Sequence, residues 1–211
     1  MIKVIAFDFD GVLADSNKLK EDVYFEILPK SDHALVKTIL ADQNIVRTRT
    51  AVFRAIFASK GFSGENLEIQ SAVFSARYND FVQEGIEKMG LMPGAEDALR
   101  KLSAEYPLYI NSHTPHDALL ETVIRLGIGY FFKGVFGRKN LNSKKSEVLK
   151  EIIKDEEASP EEVLMVGDAN SDFEAAREAG CRFVGVANDY NGWQKKEFPL
   201  VRNISGISQF L

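Results

Sequence analysis

The sequence predicts an α/β protein: a Rossmann-like, doubly wound parallel sheet with a helical segment inserted after its first strand. The opening run Val4-Ile5-Ala6-Phe7-Asp8-Phe9-Asp10-Gly11-Val12 is apolar and ends on two carboxylates one residue apart. Short apolar runs recur at residues 107–110, 134–136, 163–166 and 182–186 with helical segments between them, the alternation of a parallel sheet. Residues 15–91 hold no comparable β-branched run and show helical spacing instead.

The first strand spans residues 2–9. Its side chains alternate, so Asp8 and Asp10 point to the same side, and Gly11 lets the chain turn sharply away. Two acids that close repel each other unless a cation lies between them, whereas the plainer alternative is a strand followed by an Asp-Gly turn. In the insertion, Thr50, Val52, Phe53, Ile56 and Phe57 fall at helical spacing, as do Val73, Phe74, Tyr78, Phe81 and Val82, giving two amphipathic helices. Gly61-Phe62-Ser63-Gly64 breaks them apart, and residues 89–94 with Pro93 form the return to the sheet. The boundaries follow: a discontinuous core of residues 1–15 and 91–211, and an insertion of residues 16–90. Core helices are predicted over 94–104, 115–126, 146–155 and 172–179, with Gly127 and Gly180 as stop signals. The tail adds a strand near 199–202 and a short helix at 205–210, with Trp193 assigned to packing.

At 211 residues, 45% hydrophobic and 27% charged, the chain can bury one core and a substantial insertion. A formal net charge of -5 and the lack of a basic stripe argue against nucleic acid as the partner. No leader or membrane span precedes the first strand, so a soluble cytoplasmic protein is expected, of undetermined oligomeric state. The lone Cys181 sits at a strand entry, where a small buried thiol is ordinary.

In a doubly wound sheet the ligand lies beyond the carboxyl ends of the strands. Asp8 and Asp10, Asn111-Ser112, and Gly167-Asp168 stand at three such ends and face one crevice. With Lys144-Lys145 before a helix and Asp172 after Asp168, they make a set suited to phosphoryl transfer. Asp8, the Asp10 main-chain carbonyl and Asp168 offer oxygen ligands to Mg2+, and Asp172 a hold on a metal-bound water. One carboxylate attacks phosphorus while another protonates the leaving oxygen and then activates water. Ser112, loop amides and a lysine stabilise the transferring group.

These residues resemble the four motifs of the haloacid dehalogenase superfamily in order: Asp8-Phe9-Asp10-Gly11-Val12, Asn111-Ser112, Lys144 or Lys145, and Gly167-Asp168-Ala169-Asn170-Ser171-Asp172. Met92-Pro93-Gly94-Ala95 and Ala175-Ala176-Arg177-Glu178-Ala179-Gly180 resemble its phosphoglycolate phosphatase-like and beta-phosphoglucomutase-like branch. The resemblance implies Asp8 as nucleophile, Asp10 as general acid and base, Ser112 as phosphoryl donor, Asp168 as magnesium ligand, Asp172 as second acid, and the insertion as a helical cap. The third motif often reads lysine-proline in that family; here Lys144 and Lys145 both stand as candidates, and the spacing to Val148, Leu149, Ile152 and Ile153 favours Lys145. Gly11 and His113 border the substrate, His113 either touching the leaving group or capping the next helix. Arg47 in the insertion is the candidate contact for an anionic leaving group, ahead of Arg49 and Arg54. Lys18 and Lys20 follow the first motif, while His33 shows no partner. The implied activity is a magnesium-dependent phosphatase acting on a small phosphate ester such as phosphoglycolate or a sugar phosphate. The alternatives are a phosphosugar mutase and a non-catalytic regulatory member. Dehalogenase chemistry is disfavoured by the presence of Asp10, and a P-loop ATPase by the absence of a Gly-x-x-x-x-Gly-Lys run.

Overall fold

A computed structural model describes residues 1–42, 44–45 and 48–211. In chain order the elements are β1 (Val4–Phe7), α1 (Asn17–Ile27), α2 (His33–Ala41), α3 (Arg49–Ser59), α4 (Gly64–Met89) and α5 (Ala95–Ser103). They continue with β2 (Leu108–Pro115), α6 (His116–Arg125), β3 (Gly134–Arg138), α7 (Lys145–Asp155), β4 (Val163–Gly167), α8 (Asn170–Ala179), β5 (Arg182–Val186) and β6 (Leu200–Val201). A 3-10 helix, Ile204–Phe210, ends the chain. The chain divides into two compact units, one of Met1–Asn17 with Ile86–Leu211, the other of Lys18–Gly85.

The first unit is a parallel sheet of order β3-β2-β1-β4-β5-β6. β1 and β4 are buried at every position, as strands covered on both faces must be, which is why they read as unbroken apolar runs. Ile5 lies opposite Leu108 on one side and Leu164 on the other, so β1 is central and its carboxyl end opens between β2 and β4. β2 runs on to Pro115, beyond the apolar run of residues 107–110 and the end expected at Asn111-Ser112. Its pairing with β3 shifts register between Asn111 and Pro115, so the strand continues with a bulge that releases Ser112 from strict alternation. One face of the sheet buries Val4, Ala6, Tyr109, Met165 and Phe183 against Leu149 and Ile152 of α7 and Ala175, Ala176 and Ala179 of α8. The alanines allow α8 to lie close to the strands.

The second unit holds two helices that periodicity did not announce, α1 and α2. Their stripes are short, Val23, Tyr24 and Ile27 in one and Val36 and Ile39 in the other, too few to stand out among polar neighbours. Phe53 is fully buried, with ring centroids 5.2 Å from Tyr24, 5.9 Å from Phe74 and 6.0 Å from Tyr78. This aromatic cluster is the core of the helical unit, as the spacing of those residues implied. His33 has partners after all: its Nε2 lies 3.3 Å from the Leu28 carbonyl and its ring stands edge-on to Phe25. No helix among the described residues is long and apolar enough to cross a membrane.

Candidate active site

The site grows from the last residue of β1. Phe7 completes the strand, the Asp8 amide still donates to the Val166 carbonyl at 2.8 Å, and Asp8 is thereby fixed at the sheet edge with only 7% of its surface exposed. Its Oδ1 accepts from the Phe9 amide at 2.7 Å, while its Oδ2 lies 3.0 Å from Lys145 Nζ. Gly11 follows at φ +72°, and a side chain there would overlap both the Asp168 carboxylate and the Asn17 amide. Only glycine meets both the backbone and the space requirement.

Asp10 is held differently. Ser16 Oγ donates to its Oδ1 at 2.5 Å and Thr114 Oγ1 to its Oδ2 at 2.7 Å, so two hydroxyls orient its carboxylate. The two acids of the first motif therefore have separate partners, an ammonium for Asp8 and hydroxyls for Asp10.

Lys145, the first residue of α7, is the lysine that enters the site: it is buried, its Nζ donates to Asp172 Oδ1 at 2.6 Å, and its carbonyl accepts from Asn111 Nδ2 at 3.0 Å. Lys144, one residue earlier at the helix N-cap, is exposed. Asp172 is fully buried, and its Oδ2 accepts from the Ala169 amide at 3.0 Å, so it holds Lys145 and the start of α8 at once. Ser112 is buried and accepts from the Thr114 amide at 3.2 Å, and His113 stands exposed at the rim. Although His113 is exposed as a residue, water lost around its ring and the nearby Lys145 charge bring it down to about 4, so it is neutral near pH 7. Arg47 lies outside the described residues. Arg49 bonds Asn79 at 2.6 Å, Arg54 pairs with Glu68 at 2.9 Å and Lys18 with Asp22 at 2.6 Å, all within the helical unit.

Asparagines that sequence reasoning passed over complete the site. Asn17 Nδ2 donates to Asp168 Oδ2 at 2.8 Å, and Asn188 Nδ2 donates to the same oxygen at 2.9 Å and to the Gly11 carbonyl at 3.1 Å. Asn191 Nδ2 donates to the Asp168 carbonyl at 2.9 Å. Their one sequence signal was position: Asn188 and Asn191 follow the carboxyl end of β5, on the crevice side of the sheet.

Asp8, Asp168 and Asp172 can bring one oxygen each within 4.8 Å of one another, all three residues buried. Burial pushes Asp8 up to about 7, against the Lys145 charge that lowers it and with the other three aspartates adding to the rise. Burial likewise pushes Asp168 up to about 6, against the Asn188 hydrogen bond. Lys145 is held above the ordinary lysine range: burial disfavours its charge, but Asp172 and Asp8 outweigh that. Three buried carboxylates facing one buried ammonium leave a surplus of negative charge, and their all-oxygen donor set suits a hard divalent cation such as magnesium. Asp8, Asp168 and Asp172 are the side chains that could hold the cation, and of the three only Asp168 has an oxygen, Oδ1, to which no hydrogen bond is made among the described residues.

A model of the haloacid dehalogenase-like hydrolases matches residues 5–186. The phosphoglycolate phosphatase of Vibrio cholerae is 27% identical over 201 residues, which cover 90% of this chain and 86% of that protein. YfnB from Bacillus subtilis, solved bound to magnesium, matches with a TM-score of 0.75 at 19% identity over 99% of this chain and 98% of its own. The beta-phosphoglucomutase of Clostridium difficile matches with a TM-score of 0.70 at 21% identity over 99% of this chain and 94% of its own. The last two are likenesses of fold. With the family model spanning the sheet from β1 to β5, the chain belongs to the haloacid dehalogenase-like hydrolase family, as a hydrolase of phosphatase type.

Proposed function

We propose that the protein is a magnesium-dependent phosphatase that hydrolyses a small phosphorylated metabolite, 2-phosphoglycolate being the first candidate, through an aspartyl phosphate on Asp8. The observation that carries this reading is the division of labour between the two carboxylates: Asp8 is oriented by the Phe9 amide and Lys145, and Asp10 by Ser16 and Thr114. In the first step Asp8 attacks phosphorus, the bond to the leaving oxygen breaks, and Asp10 gives that oxygen its proton. In the second, Asp10 takes a proton from water as the water oxygen attacks phosphorus, releasing inorganic phosphate and restoring Asp8. Lys145 stabilises the charge of the transferring group from one side and the Ser112 hydroxyl from the other. Asp8 and Asp168 would hold magnesium, which would supply positive charge against the negative charge of the transferring group.

Substrate choice is assigned to the helical unit, which the family resemblance makes the cap, with Arg47 as the contact to an anionic leaving group. A cytoplasmic setting suits a metabolite substrate and a single cysteine. The test is phosphate release from a panel of phosphorylated metabolites with magnesium, with chelator, and with an Asp8→Asn variant. Selective, metal-dependent release that disappears in the variant supports the proposal. Retained hydrolysis by pure Asp8→Asn protein sinks the covalent mechanism. Trapping of phosphate from acetyl phosphate without turnover on the panel turns the assignment to a mutase.

A further inference from the structure

Asp168 is bonded through one of its two carboxylate oxygens. Asn17 and Asn188 each donate an N–H to Oδ2, at 2.8 and 2.9 Å, and a carboxylate oxygen offers two lone-pair positions. The surroundings fix both the donors and the space. A side chain at Gly11 would collide with that same oxygen and with the Asn17 amide, so the backbone of the β1 loop closes a further side. Asn188 cannot turn its amide over: its second N–H bond goes to the Gly11 carbonyl at 3.1 Å, and its Oδ1 accepts from the Asn191 amide at 2.8 Å. Asn191 reciprocates, its Oδ1 accepting from the Asn188 amide at 3.1 Å and from the Trp193 amide at 3.0 Å, while its side-chain nitrogen bonds the carbonyls of Asp168 and Val186. A flipped Asn188 would set a carbonyl oxygen against a carboxylate and another carbonyl. Among the described residues, no hydrogen bond is made to Asp168 Oδ1.

We infer that Asn17 and Asn188 are cation-selectivity residues, which saturate Asp168 Oδ2 so that Asp168 can ligate a cation through Oδ1 alone. This rests on the metal-dependent function proposed above. Magnesium demands near-octahedral geometry and is satisfied by single oxygens and water. Calcium takes six to eight oxygens and often draws both oxygens of a carboxylate. At this site calcium can chelate Asp168 only by displacing two amide hydrogen bonds from an oxygen that is walled in by Gly11. Asn17 and Asn188 are positioning residues, and they act on the choice of ion rather than on the reaction.

The test is calorimetric titration of the full-length protein with MgCl2 and, separately, with CaCl2, for wild type, Asn17→Ala and Asn188→Ala. Thermal melts of the metal-free proteins accompany it. Each substitution frees Oδ2 from a different side, and Asn17→Ala leaves the Asn188–Asn191 loop whole, so it carries the test if Asn188→Ala folds poorly. The expected result is a fall in the magnesium-to-calcium affinity ratio, on the order of tenfold, in both variants, the size typical for removing an outer partner of a metal ligand. An unchanged ratio, even with both affinities reduced together, overturns the inference and leaves the phosphatase assignment intact. A wild type that binds neither cation overturns the magnesium-dependent function and the selectivity with it.

Discussion

Lys145 is the residue on which the charge balance of the crevice turns. Its side chain is 3% exposed, between Asp8 and Asp172, so replacing it by methionine leaves two buried carboxylates without their cation. Breaking a buried pair in this way costs about 3–5 kcal/mol. Lys145→Met is therefore expected to lower the denaturation midpoint and abolish turnover, whereas Lys144→Ala, at an exposed N-cap position, stays within about 0.5 kcal/mol of wild type. Parallel urea titrations of the two variants check this, and equal losses would contradict the geometry. Gly11→Ala is expected to weaken magnesium binding as well as stability, since its methyl group would displace Asp168. Magnesium titration of that variant reads the effect. Asp8 and Asp10 were legible because a strand end, a two-residue spacing and a glycine leave few other uses for paired acids. The lysine was legible only to within one residue, because loop length sets which of two neighbours begins the helix. Asn17, Asn188 and Asn191 were not legible, since a side-chain amide that bonds across the fold leaves no period in the sequence.

Between elements, one contact ties β2 to the end of α7 and the start of β3. The Tyr109 hydroxyl donates to Glu156, and Lys133 lies 2.8 Å from the same carboxylate, whose side chain is 11% exposed. Partial burial pushes Glu156 up, but Lys133 and Tyr109 outweigh it and hold the carboxyl below the usual glutamate value of 4.5. A carboxyl lowered in the folded state stabilises fully above its unfolded value, and that contribution is lost as pH falls through the folded one. Glu156→Gln is therefore expected to cost about 1.5–3 kcal/mol at pH 7, with the gap to wild type narrowing below pH 4.5. Urea denaturation at both pH values measures it, and a gap that stays constant would assign the loss to packing instead. The core strands were plain in the sequence because burial on both faces makes them continuous apolar runs. The true end of β2 was hidden by its bulge, and α1 and α2 by stripes of only two or three buried residues.

At the scale of the molecule, two separately cored units share one chain that passes between them twice, at residues 17–18 and 85–86. Phe53→Ala removes the fully buried ring at the centre of the helical unit, a change worth about 3–5 kcal/mol. Hydrogen exchange is expected to show lost protection across residues 18–85 and unchanged protection in β1 and β4. Uniform loss across both units would mean that they unfold as one.

The sheet order has a consequence for how the chain is made. β1 finds its neighbours β2 and β4 only about 100 and about 160 residues further along the chain, while the helices of residues 18–85 close among near neighbours. During translation β1 therefore stays unpaired until β2 has emerged, and keeps one open edge until β4 follows. The acids at its tip meet Thr114, then Lys145, only as those later segments arrive.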